Sequence, residues 1–170
     1  MTPREIYAHK LATKQLATTP VFKPQKRGKL PRPFKQLGDE RIHCTGLLEV
    51  SNSHVAIMYW RDGDILTDRA FMGHLFCKLA NGSVSPIFEF HWHPSHKGFH
   101  CKTPCKTEHN YTDRMLPGAP EISLKTYPDT DPKKPLELMK LVYLFCKTCG
   151  ISLPTSELKD IPKTLPLWPL

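Results

Sequence analysis

What the chain lacks narrows its function before anything it contains does. No apolar run approaches the roughly 18–20 residues that a membrane-spanning helix needs, and the opening Met-Thr-Pro-Arg-Glu has no hydrophobic signal core. The expectation is therefore a cytoplasmic protein without a membrane partner. A phosphate-binding loop of Walker type, a dinucleotide glycine fingerprint and a Gly-x-Ser-x-Gly elbow are also missing. Their absence argues against nucleotide-driven motors, dehydrogenases and serine hydrolases. No internal repeat is present, and beyond residue 35 there is no net charge.

That last absence locates the charge of +8. Residues 1–35 hold nine of the 24 lysines and arginines and one of the 16 acidic residues, which leaves fifteen of each sign in the rest. An anionic partner would therefore meet the N-terminal segment first. A chain of 170 residues suits one domain, and 39% hydrophobic residues can fill a core. The 17 prolines and mean hydropathy of -0.40 imply much irregular backbone. Three regions follow: a basic N-terminal helix and Pro-rich arm over 1–38, a single α+β domain over 39–160, and a Pro-rich C-terminal strap over 161–170.

Ile6, Ala8, Leu11, Ala12 and Leu16 fall near helical spacing and predict a helix over 4–19, stopped by Thr-Thr-Pro at 18–20. From Pro20 to Gly38 there is no periodicity, and prolines at 20, 24, 31 and 33 prevent helix and central strand alike. This reads as an extended arm. Lys23, Lys26, Arg27, Lys29, Arg32 and Lys35 would neutralise phosphates, with Phe22 and Phe34 available for stacking on bases. A solubilising tail, or an arm that wraps the domain, is the plainer reading.

The pattern then changes to strands. Arg41–Val50 and His54–Trp60, split by Ser-Asn-Ser at 51–53, predict a hairpin. Ala70–Leu79 and Val84–His93 flank Asn81-Gly82, the signal for a two-residue type I′ turn. Such a turn would set Phe71 opposite Trp92, His74 opposite Glu89 and Leu75 opposite Phe88. Alternation would put Phe71, Leu75, Cys77, Leu79, Val84, Phe88, Phe90 and Trp92 on an apolar face, and His74, Glu89, His91 and His93 on the other. Pro86 marks an edge or a bulge. Residues 94–120 read as a loop and Glu121–Tyr127 as one more strand. Asp131 reads as the cap of a helix whose apolar side is Leu136, Met139, Leu141, Val142 and Phe145, with Gly150 as its stop. The fold class is α+β: a small antiparallel sheet of hairpins packed by one C-terminal helix.

Five of the nine histidines lie between Glu89 and Arg114. Imidazole supplies acid and base near neutrality, and lysine or arginine stabilises charge developing on a phosphate. RNA cleavage needs little more, because the 2′-hydroxyl is the nucleophile. The catalytic candidates are Glu89, His91, His93, His96, Lys97, Tyr111 and Arg114. In size, charge and residue types, though in no motif, the chain is similar to small basic ribonuclease toxins of bacteria. A metal-independent endoribonuclease acting on RNA rather than DNA is the leading expectation.

Two metal readings compete for this region. Cys146-Lys-Thr-Cys149 has knuckle spacing, and with Cys101-Lys-Thr-Pro-Cys105 it could close a structural zinc site of four thiolates. That reading implies a non-enzymatic, zinc-stabilised nucleic-acid-binding or regulatory protein. His91 and His93, with His96 or His100, could instead hold a catalytic divalent ion. Cys44 and Cys77 read as small apolar strand residues. A further alternative is an interaction module that docks through the basic Pro-rich arm on an inhibitor or assembly partner.

Overall fold

The computed structural model describes residues 2–96, 98–102 and 130–154. In chain order its elements are α1 (Pro3–Leu11), β1 (Lys14–Gln15), β2 (Lys23–Pro24), β3 (Ile42–Ser51), β4 (His54–Arg61), β5 (Ala70–Lys78), β6 (Val84–His93), β7 (Gly98–Lys102), α2 (Pro135–Thr148) and β8 (Ile151–Ser152). Strands β2 to β7 form one antiparallel sheet in sequential order. The expected α+β class is what the chain adopts. The expected strand at 121–127 and the strap at 161–170 lie outside the described residues.

Helix α1 begins where the sequence gives it a complete start. Thr2 accepts from the Glu5 backbone at 3.3 Å, Glu5 accepts from the Thr2 backbone at 2.6 Å, and Pro3 occupies the first turn. It ends at Leu11, well short of residue 19, because Lys14 folds back on it. The buried Lys14 ammonium donates to the carbonyls of Lys10 at 2.9 Å, Ala12 at 2.5 Å and Cys149 at 2.8 Å. One cation thus caps the C-terminal ends of both helices, where their dipoles favour positive charge. Lys14 and Gln15 then pair in parallel with Ile151 and Ser152.

The β3–β4 hairpin turns through Asn52 and Ser53, as the sequence predicts. At the β5–β6 hairpin two departures from the predicted geometry cancel. Asn81-Gly82 sits in a three-residue loop, with Leu79 bonded to Ser83 and Gly82 at φ 77°, so pairing from Lys78↔Val84 to Phe76↔Pro86 is one residue out of step. Pro86 lacks an amide for the ladder, and the extra residue Ile87 forms a bulge that restores the register. The predicted pairs Leu75↔Phe88, His74↔Glu89 and Phe71↔Trp92 therefore hold. The slip moves Val84 to the opposite face, beside Phe76, and leaves Leu79 exposed.

The larger core lies on one face of the sheet. Phe71, Leu75, Phe88, Phe90, Trp92 and Phe99 pack there with Leu141, Val142 and Phe145 of α2 and Ile6 of α1. Gly73 lets the helix approach, because a Cβ at that position would stand 2.6 Å from the Phe145 ring. Lys134 occupies the N-cap of α2 in place of the expected Asp131, which instead pairs with Arg69 at 2.6 Å and ties the β4–β5 connection to the helix start. Gly150 ends the helix in the left-handed region at φ 64°.

The other face is covered in part by the N-terminal segment. Lys23 and Pro24 add an edge strand to β3, and Leu30, Phe34 and Leu37 pack over Cys44, Val55, Ile57 and Phe76. Residues 20–38 thus run along the domain. Phe22 packs against Phe71, and Phe34 lies edge-on to His74 and Phe76 with ring centroids 5.1 and 5.4 Å away. Both rings pack against the sheet and are half-buried.

Candidate active site

Alternation on β6 sends Glu89, His91 and His93 to the face opposite α2. The pairing of β6 with β7 then sets His100 directly across from His91 and Lys102 across from Glu89. His91 Nδ1 lies 3.1 Å from His100 Nε2, and the rings of His93 and His100 stack with centroids 5.3 Å apart. Ligand atoms of His91, His93 and His100 all fall within 4.8 Å of one another. The outer nitrogen of His91 is 3.3 Å from a Glu89 carboxylate oxygen, close but off the line of an aligned hydrogen bond.

This arrangement perturbs the neighbouring groups in ways that burial and charge explain. The His91 ring holds the Glu89 carboxyl below its ordinary range, outweighing burial, and His74 and Lys102 act in the same direction. Burial pushes His74 down to about 4, so this histidine is neutral at physiological pH, with its Nε2 3.3 Å from the Tyr59 hydroxyl. Burial also raises the Tyr59 phenol. His74 and Tyr59 therefore form a neutral floor beside the charged Glu89.

An open groove of about 850 Å³ borders the site. Arg32, Pro33 and Phe34 form one wall, and His74, Phe76 and Glu89 line the other. Glu89 therefore belongs both to the groove and to the histidine group. Lys23, Lys26, Arg27, Lys29, Arg32 and Lys35 are all exposed, most of them on the 25–38 loop whose apolar side chains pack inward. Of these six, Arg32 lines the groove.

The other predicted site residues divide by position. His96 stands in a short 3-10 turn after β6, while Lys97, Tyr111, Arg114 and Cys105 lie outside the described residues. Cys101, Cys146 and Cys149 are buried cysteines in the larger core. Burial pushes Cys146 up to about 12 and Cys149 well above its ordinary value. These three are not among the described groups whose ligand atoms lie within 4.8 Å of one another.

Sequence reasoning misses Lys102 and the placement of His100 because 94–120 reads as a loop. A signal is present nonetheless: Phe99-His100-Cys101-Lys102 alternates apolar and polar at period two, immediately after Gly98. Prolines and histidines on either side obscure a strand of only five residues. Comparison with protein-family models, curated proteins and solved structures finds no match for this chain.

Proposed function

We propose that the protein is a metal-assisted endoribonuclease, with His91, His93 and His100 holding a zinc-class divalent ion and the basic loop holding RNA. The observation that carries this reading is the convergence of three imidazoles from two paired strands within 4.8 Å, backed by a carboxylate 3.3 Å from one of them. Three histidines are a donor set used for catalytic zinc, which leaves a position open for water or substrate. A carboxylate on the outer nitrogen of a ligating histidine fixes its tautomer and raises its basicity, and Glu89 stands where that partner should be.

An ion held by His91, His93 and His100 would supply Lewis-acid charge to the scissile phosphate. The chain's own residues do the rest. Glu89 orients His91, Lys102 adds positive charge beside the phosphate, and the exposed cations of the 25–38 loop keep the polyanion along the groove. The 2′-hydroxyl attacks phosphorus as its proton passes to water, and the P–O5′ bond breaks to leave a 2′,3′-cyclic phosphate while the departing 5′-oxygen takes a proton from water.

A metal-independent reading of the same side chains is favoured by one observation, the 3.1 Å contact between His91 and His100, which would let the pair share a proton as base and acid. Chelation separates the two readings. Metal-assisted cleavage stops in EDTA and returns with added zinc, whereas metal-independent cleavage persists. His91→Ala and His93→Ala are expected to abolish cleavage by folded protein in either case. Cleavage at wild-type rate by both variants would remove this site from the chemistry, and equal cleavage of DNA would overturn the assignment of the 2′-hydroxyl as nucleophile.

A structural zinc on Cys101, Cys105, Cys146 and Cys149 belongs to the same proposal only as a separate, stabilising ion. Its loss should lower thermal stability without changing the EDTA response of cleavage rate per folded molecule.

A further inference from the structure

A second group of soft donors lies away from the histidine face. His54 opens β4 and Cys77 nearly ends β5, and the two are direct cross-strand partners. Helix α1 docks its last turn against this end of the sheet and brings in His9, whose Nδ1 stands 3.1 Å from His54 Nε2. Ligand atoms of His9, His54 and Cys77 all lie within 4.8 Å of one another. Cys77 belongs to the larger core on the helix-covered side. Met72, the β5 residue paired with His91, is five residues along the strand from Cys77, a separation of roughly 17 Å at strand rise.

We propose that His9, His54 and Cys77 form a binding site for a thiophilic monovalent ion, Cu(I). The donors are two imidazoles and one thiol, a set with sulfur affinity and no carboxylate, which suits Cu(I) and zinc better than magnesium, calcium or manganese. The surroundings are dry, with His54 5% and Cys77 7% exposed, while the half-buried His9 leaves a route from solvent. Ser51 Oγ lies 2.8 Å from His54 Nδ1, so it can accept the proton there and leave the Nε2 lone pair facing the site. Charge selects between the two metals. Cu(I) with the Cys77 thiolate sums to zero, whereas zinc would leave a net positive centre in a buried place that already feels the Lys14 ammonium.

The order of assembly follows from the topology. The hairpin supplies two donors wherever the sheet is formed, and the third arrives only when α1 docks. Metal binding therefore stabilises the attachment of α1 to the sheet.

The test is an anaerobic titration of the full chain with Cu(I) against a chromogenic Cu(I) chelator, comparing wild type with Cys77→Ser, His9→Ala and His91→Ala. Wild type is expected to retain one more equivalent than Cys77→Ser, since the other cysteines are common to both. His9→Ala, which removes a direct ligand, should weaken that equivalent by at least the roughly 10–100-fold that loss of an outer-shell partner costs, and His91→Ala should bind it as wild type does. Equal retention by wild type and Cys77→Ser would overturn the site, and displacement of the bound Cu(I) by equimolar zinc would overturn the choice of metal. If Cys77→Ser loses its cooperative melt, His9→Ala decides, because its side chain is only half-buried; unchanged affinity there contradicts the proposal. RNA cleavage is a separate readout, so failure here leaves the His91–His93–His100 reading standing, and the reverse also holds.

Discussion

The two faces of the central sheet carry residues from the same strands and serve opposite ends. On the helix-covered face Phe71, Leu75, Phe90 and Trp92 are fully buried. On the other face the alternate residues of the same strands are Tyr59, His74, Glu89 and His91, roofed only in part by the Pro-rich segment. The difference shows how period-two alternation lets ten residues of β6 fill a core and build a polar site together. The larger core lies on one face, while the other combines the smaller cluster around Ile57 and Phe76 with the ionisable side chains of His74, Glu89 and His91.

The sharpest way to break that division is to damage the helix-covered face and look for a cost in stability alone. Phe145→Ala removes the ring seated on Gly73 and is expected to lower unfolding free energy by about 3–5 kcal/mol in a denaturant titration. Gly73→Ala attacks the same contact from the sheet side and should lower it by about 1–3 kcal/mol. Both variants should keep RNA cleavage per folded molecule. A loss of cleavage in protein that remains folded would show that the faces are not separable.

Lys14 offers a weaker and pH-dependent version of the comparison. Burial pulls its ammonium from 10.5 down to about 8. Between those values the unfolded chain holds a proton that the folded chain has shed, so this group's contribution makes stability rise with pH across the window from about 8 to 10.5. The full rise is on the order of 3 kcal/mol. Buried thiols titrate in the opposite sense, so the readout is the difference between wild type and Lys14→Met across pH 7.5–10. Wild type should gain stability relative to Lys14→Met as pH rises if the ammonium is the source, and a constant offset would assign the role of Lys14 to packing alone.

The smallest expected effect belongs to the basic loop. Replacing Lys26, Arg27, Lys29 and Arg32 together by glutamine should leave the melt nearly unchanged, because these side chains are exposed. RNA binding should lose salt dependence, with the slope of log affinity against log salt falling by roughly 0.7 for each phosphate contact removed. An unchanged slope would place the RNA elsewhere.

Much of this division is legible in the amino-acid sequence. The alternation of β5 and β6 places Phe71, Leu75, Phe88, Phe90 and Trp92 on one face and His74, Glu89 and His91 on the other. The register survives although the turn does not follow the two-residue pattern, because the Ile87 bulge compensates for the longer loop. No local rule foretells such a compensation. Helix α2 and its Gly150 stop follow from periodicity and a positive φ. The end of α1 does not, since it depends on Lys14 reaching Cys149 across 135 positions of sequence. The histidine site is half visible: Glu89, His91 and His93 announce themselves on one strand, whereas His100 and Lys102 join them only through a five-residue strand. His9, His54 and Cys77 are scattered over the chain and carry no signal at the level of sequence.

His100 is therefore the residue on which the chemistry of the open face turns, and RNA cleavage by His100→Ala, measured against wild type with and without EDTA, tests it most directly. Wild-type cleavage is predicted to be abolished by EDTA and restored by zinc, while His100→Ala melts as wild type does but neither cleaves nor responds to zinc. Cleavage by His100→Ala at the wild-type rate with the same EDTA sensitivity would contradict the proposed site, because the metal would then be held without the side chain that completes the tripod.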